Sequence, residues 1–215
     1  MNCPQYANLV PAFHGRPPIV FNRLEIVPAE YTRCDYLPIK MPNNGMIKVP
    51  DNLRWVGRFV DCIAVIENLA ADTYWYLTAK YGYVGADGGN RPGWHCDGYL
   101  TDDITYIWSD RSATEFCLQE FNLTPDHHIS LIEMEQQARH ENIRTFGDGN
   151  IVRLDQYNVH RVAKCAPGLR CFLKLSISKE QYNLTGNAHN YLFDYKWDMH
   201  ERALERNHPQ RDYES

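Results

Sequence analysis

From Gly93 onward the chain breaks into short β-leaning runs separated by turn signals, and this pattern constrains the fold more than any other feature. The runs are Gly93–Tyr99, Ile104–Ser109, Thr114–Phe121, His128–Met134, Asn150–Asp155 and Leu169–Ser178. Many short strands at this spacing predict an all-β sandwich or barrel. The first 50 residues carry eight prolines, from Pro4 to Pro50. Proline removes a backbone donor and clashes with the preceding helical turn, so this stretch holds no long helix. It reads as extended pieces and loops that wrap a core. Between the two regions, Val60, Ile63, Ala64, Ile66, Glu67, Leu69 and Ala70 give a stripe of mainly helical period, and no proline or glycine interrupts Val60 to about Lys80. Thr73–Tyr76 within it is aromatic and strand-like. The expected class is mainly β with flanking helices (α+β). A chain of 215 residues fits one domain: residues 1–60 as the Pro-rich wrapping segment, 80–180 as the β core and 197–215 as a polar tail.

Charge and cysteine usage narrow the function. Lysine and arginine number 22 against 27 acidic residues, a net charge of −5. Phosphate contacts dominate nucleic-acid affinity and favour a basic excess, so polymeric nucleic acid is a disfavoured partner. The seven cysteines include no Cys-x-x-Cys pair, so neither a disulfide framework nor a zinc knuckle is expected. Reduced thiols and a cytoplasmic location are the expectation. The N-terminus lacks the basic and apolar regions of a secretory signal, and no apolar run is long enough to span a membrane. No P-loop, dinucleotide fingerprint or Gly-x-Ser-x-Gly elbow occurs.

Chemistry concentrates in Pro92-Gly93-Trp94-His95-Cys96-Asp97-Gly98-Tyr99. On a strand, alternate side chains face the same way. His95 and Asp97 then point together while Cys96 points away. An imidazole and a carboxylate so placed supply two metal ligands from one edge. The third donor is His160, 65 residues after His95, beyond the strand-like run Asn150–Asp155. Two histidines and one carboxylate on one face of a metal leave open positions, the facial triad of non-haem Fe(II) oxygenases.

A second feature follows ten residues after His160. In the run Leu169–Ser178, Arg170, Phe172, Lys174 and Ser176 share one face, and Leu169, Cys171, Leu173 and Leu175 share the other. A guanidinium inside a barrel is costly without an anion, and a carboxylate accepting two of its hydrogen bonds is the natural partner. Arg170 is the first choice for that partner and Lys174 its rival on the same face.

This ordered set, His95-Cys96-Asp97, His160 and Gly168-Leu169-Arg170, resembles the Fe(II)/2-oxoglutarate-dependent dioxygenase superfamily. Ser112-Ala113-Thr114-Glu115-Phe116 is similar to the Gly-Gly-Thr-x-Phe strand that often follows His-x-Asp there, with Ser-Ala in place of the glycines. The resemblance covers roughly residues 80–180 and identifies no subfamily. It implies a double-stranded β-helix (jelly-roll, cupin-like) core. It implies Fe(II) on His95, Asp97 and His160, and 2-oxoglutarate with its distal carboxylate on Arg170. It also implies a reaction that consumes O₂ and 2-oxoglutarate, hydroxylates or oxidatively demethylates a substrate C–H bond, and releases succinate and CO₂.

Further candidates are weaker. Tyr83, twelve residues before His95, is placed to hydrogen-bond the same carboxylate as Arg170. Trp94, Tyr99, Tyr106 and Trp108 are candidate pocket walls, although aromatics in a β core usually just pack. His127 and His128 are adjacent and face opposite sides of a strand, so at most one joins a site. His140 reads as exposed, and Asp87, Asp102 and Asp103 as solvated turn residues. Two rival functions use the same ligands: a non-catalytic cupin-like binding module, and a zinc-dependent hydrolase in which the metal activates water. A buried Arg170 speaks for the oxygenase, since a hydrolase has no need of it. The substrate class stays open among a small metabolite, a modified amino-acid side chain and a nucleobase.

Overall fold

The computed structural model describes residues 13–68, 72–86 and 92–201. Among these residues, nine strands form two antiparallel sheets. The larger contains β1 (Ile19–Arg23), β2 (Thr32–Lys40), β3 (Tyr74–Val84), β4 (Ile104–Ser109), β7 (Asn150–Leu154) and β9 (Gly168–Ser178). Its order is β1-β7-β4-β9-β3-β2. The smaller contains β5 (Glu115–Cys117), β6 (Ile143–Thr145) and β8 (His160–Arg161), in the order β6-β5-β8. His95 extends the smaller sheet by one bridge to His160, with both backbone N–H···O bonds at 2.9 Å. From β3 onward the chain therefore alternates between sheets. It passes from β3 to the His95 edge, to β4, to β5 and β6, to β7, to β8 and finally to β9.

Side-chain alternation decides what each face of the larger sheet does. Trp75, Leu77 and Ala79 of β3, Tyr106 and Trp108 of β4, and Cys171, Leu173 and Leu175 of β9 are buried in one apolar cluster. Helix α1 (Gly57–Glu67) closes that cluster with Phe59, Val60 and Ile63. Burying each large apolar side chain contributes about 1.5–3 kcal/mol, so this layer supplies much of the folding drive. The opposite face carries Thr78 and Lys80, Thr105 and Ile107, and Phe172, Lys174 and Ser176, which line a cavity. The smaller sheet lines the same cavity through His160 and Arg161.

The Pro-rich segment does more than wrap. β1 pairs with β7 and β2 with β3, so residues 19–40 supply both edges of the larger sheet. The helix expected from Val60 to about Lys80 stops at Glu67. Asn68 ends it in the left-handed conformation, φ 49°, where asparagine is tolerated better than most residues. The aromatic stretch then enters β3, which pairs with β9 along its whole length and buries Trp75–Ala79.

Two runs read as strands fold differently. His128–Met134 lies inside helix α2 (His127–Gln137). Asp126 caps its N-terminus, accepting hydrogen bonds from the His128 and Ile129 amides at 2.8 Å each. Only Ser130 and Met134, four residues apart, are buried, a helical spacing that the alternating reading obscured. Asp126→Ala removes both bonds and is expected to cost about 1 kcal/mol, read as a lower midpoint in urea unfolding.

Gly93–Tyr99 is likewise no strand: after the single bridge at His95 the chain turns through Asp97–Leu100. Gly98 has φ 66°, and a Cβ there would lie 2.9 Å from Asp103 Cβ and Thr101 Oγ1. The turn therefore requires glycine. Thr114–Phe121 shortens to Glu115–Cys117. Cys3, Asp87 and the tail from Arg202 lie outside the described residues. The other six cysteines are free thiols. Among the described residues, no helix is long and apolar enough to cross a membrane.

Candidate metal centre

His95, Asp97 and His160 converge at the mouth of the smaller sheet. One ligand atom from each lies within 4.8 Å of the others, the group placed to share an ion among the described residues. The convergence does not come from strand alternation, as the sequence suggested. The His95–His160 bridge aligns the two imidazoles, with ring centroids 4.4 Å apart. The turn that begins at Asp97 then brings the carboxylate round to them. Cys96 points away and packs its Sγ 3.9 Å from Met134 Sδ.

Both imidazoles are oriented by backbone carbonyls. His95 Nδ1 lies 2.9 Å from Gly93 O, and His160 Nδ1 lies 2.8 Å from Asn158 O. A carbonyl can only accept, so each neutral ring carries its proton on Nδ1. The lone pair is then on Nε2, the state a metal-binding histidine needs. Burial lowers the pKa of His160 below its ordinary value, against the opposing pull of Asp97. That keeps the ring in its unprotonated, ligating form.

Asp97 is anionic for the opposite reason. Burial pushes its carboxyl up, but Lys174, His160 and His95 outweigh this and hold it well below the usual carboxylate range. Lys174 Nζ lies 3.3 Å from Asp97 Oδ2 and 3.0 Å from Tyr36 Oη. Burial alone would depress the Lys174 ammonium; Asp97 and Tyr36 raise it above its ordinary value instead.

Tyr36 escaped the sequence reading. It sits at φ 51°, outside the region favoured by residues with a side chain, beside an irregularity in the β2–β3 register. Thr78 Oγ1 accepts its amide at 3.0 Å, and its ring stands edge-on to Tyr182 at 5.6 Å. No periodicity announces a bulge, so the sequence held no signal for it.

The remaining candidates separate in space. Lys174 lines the cavity of the triad, together with Thr114, Phe172 and Ser176. Arg170 is buried on the same strand face but lines an adjoining hollow. Its Nε donates to Arg111 O at 3.1 Å and its Nη2 to Ser112 O at 3.2 Å. Tyr83 is 72% exposed, on the rim of that hollow. Trp94 lies under the Arg161 guanidinium, 4.4 Å from its ring centre, while Arg161 pairs with Glu115 at 2.7 Å. Tyr99 donates to Thr124 O at 2.7 Å, and Trp108 is buried in the main core with Nε1 on Leu24 O and Gly149 O. Asp103 is buried rather than solvated and accepts the Tyr182 hydroxyl at 2.6 Å. Asp102 is exposed; His127 and His128 open helix α2, and His140 is exposed in a short 3-10 turn.

No family model matches the sequence, and no curated protein matches it. Two crystal structures of EvdO2 from Micromonospora carbonacea var. aurantiaca are similar to this chain. One gives 12% identity and a TM-score of 0.37, covering 58% of this chain and 64% of EvdO2. The other, complexed with 2-oxoglutarate, gives 13% identity and a TM-score of 0.36, covering 60% and 66%. This chain thus spans less than two thirds of either EvdO2 chain. Likeness at that level leaves function to be argued from the site itself.

Proposed function

We propose that this protein is an Fe(II)- and 2-oxoglutarate-dependent dioxygenase on a double-stranded β-helix core. The observation that carries the reading is the convergence of His95, Asp97 and His160, with both Nδ1 atoms on backbone carbonyls, in a cavity between two sheets. The alternation of the chain between those sheets is the winding expected of such a core. Three protein ligands leave positions on the ion for other oxygen donors. Fe(II) held there would supply O₂ activation for oxidising a substrate C–H bond, by hydroxylation or demethylation.

The protein's own residues fix the rest. His95 and His160 present Nε2, and Asp97 presents an oxygen. Lys174 is the cation on the cavity wall that touches the triad, through Asp97; Lys80 and Arg161, which also line the cavity, pair with Asp35 and Glu115. With a dication, one aspartate, a co-substrate dianion and the Lys174 ammonium together, the charges sum to zero. A buried site without that balance would be costly. We therefore assign Lys174 to the co-substrate carboxylate, with the Tyr36 hydroxyl as its hydrogen-bonding partner. Arg170 takes that role only by turning from the Arg111 and Ser112 carbonyls.

The purified protein, given Fe(II), a reductant, O₂ and 2-oxoglutarate, is expected to release succinate slowly even without its substrate. An Asp97→Ala protein serves as the control. No succinate, together with no 2-oxoglutarate-dependent absorbance change on adding Fe(II) under argon, would overturn the reading. The zinc-hydrolase or binding-module alternative would then take its place.

A further inference from the structure

We propose that the hollow adjoining the triad's cavity is a binding site for the substrate, and that the substrate is a planar aromatic anion. The link to a substrate rests on the oxygenase reading above; the ligand class rests on the hollow alone.

The two spaces differ in size. The cavity of the triad has a volume of about 150 Å³, and the hollow about 400 Å³. Small-molecule sites run from roughly 300 to 1,000 Å³. The smaller space falls below that range for a further organic molecule and suits a metal and a compact co-substrate. The larger falls within the range for one. Lys80 and Phe172 line both spaces, so the hollow adjoins the triad's cavity along those two side chains.

The lining of the hollow is rich in aromatic side chains. The hollow forms where β3 overhangs its neighbour: β2 pairs with β3 as far as Thr32↔Tyr81, and β3 continues to Val84. Tyr31 stacks on Tyr81, with ring centroids 5.7 Å apart and 19° between planes. Tyr31 is nevertheless 73% exposed, an openness that a flat ligand lying against the ring would cover. Gly82, opposite Arg170 in the β3–β9 ladder, leaves ground beneath Tyr31 unfilled: a Cβ there would reach the Tyr31 ring only at 3.8 Å.

Arg33, Lys80 and Arg170 all line the hollow, and among the described residues no carboxylate does. Asp35 stands behind it, 3.2 Å from Lys80 and 3.6 Å from Arg33, while Asp110 and Asp148 act on Arg170 from outside the lining, with Arg111 opposing them. In a chain of net charge −5, a cationic recess of this kind selects anions by focusing the local field.

The test uses 2-naphthoate, its neutral isostere 2-naphthylmethanol, and 2-naphthyl phosphate. Calorimetry on the metal-free protein is expected to show a naphthyl anion binding at least tenfold more tightly than the alcohol. The carboxylate and phosphate arms tell which anion is preferred. Tyr31→Ala and Arg33→Gln, both exposed positions outside the metal centre, are each expected to weaken that binding at least fivefold. Equal affinity for acid and alcohol, or unchanged binding in both variants, overturns the proposal.

Proximity is read separately, by adding Mn(II) and following the naphthyl proton resonances. Broadening in the wild type that disappears in His160→Ala places the ligand beside the triad. Binding without broadening, when electron paramagnetic resonance shows Mn(II) held, removes the hollow as a substrate site and leaves the metal centre intact. Naphthyl binding with no Mn(II) held supports the ligand site and counts against the oxygenase reading instead.

Discussion

Asp97→Ala is expected to abolish tight Fe(II) binding and to destabilise the metal-free fold at the same time, two losses that a second substitution separates. A three-ligand site has no spare donor, so His95→Ala and His160→Ala should also lose the metal, read as metal content after dialysis. Asp97 differs from the histidines because it is also the counter-ion of Lys174, 3.3 Å away, with side chains only 14% and 21% exposed. Removing one partner of a buried ion pair strands the other charge, at a cost on the order of 3–5 kcal/mol. Adding Lys174→Met to Asp97→Ala removes the stranded ammonium. The double variant is expected to recover most of the lost stability in urea unfolding and none of the metal binding. Wild-type metal content in any of the three single ligand variants would remove the triad from the site. A double variant no more stable than Asp97→Ala would mean that Lys174 finds another partner, and the ion pair would lose its structural role.

Much of this site was legible in the sequence because its parts depend on residue type. Only a few side chains ligate metals, and two histidines with an aspartate in this order are an uncommon set. β9 was equally legible. Its alternation of Leu169, Cys171, Leu173 and Leu175 with Arg170, Phe172, Lys174 and Ser176 is the alternation of an interior strand with one greasy face. β4 and β7 followed for the same reason. What failed was local geometry. His95 and Asp97 share a site through one bridge and a glycine-dependent turn, and strand periodicity gave the right convergence for the wrong reason. The run around Ile129–Met134 has apolar residues that suit either period, and the deciding signal was the cap at Asp126 rather than the pattern. Tyr36 depends on a bulge, and the separation of Arg170 from Lys174 depends on which cavity each enters. Both are properties of packed strands that no one-dimensional pattern carries.

The choice between those two cations yields the second large effect. Lys174→Ala is expected to raise the 2-oxoglutarate requirement by tens- to thousands-fold, the equivalent of about 2–5 kcal/mol for a buried charge-assisted contact. Arg170→Ala is expected to do far less to the co-substrate. Its guanidinium is bonded to the Arg111 and Ser112 carbonyls and lies 5.3 Å from the Phe172 ring. Its removal should therefore loosen the 111–114 segment and lower stability. The two side chains lie four residues apart on one strand, about 13 Å along it, so one carboxylate does not meet both cations without one side chain leaving its present partners. Measuring succinate formation against 2-oxoglutarate concentration, with Tyr36→Phe as a third variant, orders the contributions. Tyr36→Phe keeps the ring beside Lys174 but removes the oxygen 3.0 Å from Nζ, and should produce a smaller shift in the same direction as Lys174→Ala. Should Arg170→Ala raise the requirement and Lys174→Ala leave it unchanged, the guanidinium turns inward when co-substrate binds. The role would then pass to Arg170, and Lys174 would be left as the counter-ion that holds Asp97 ready for the metal.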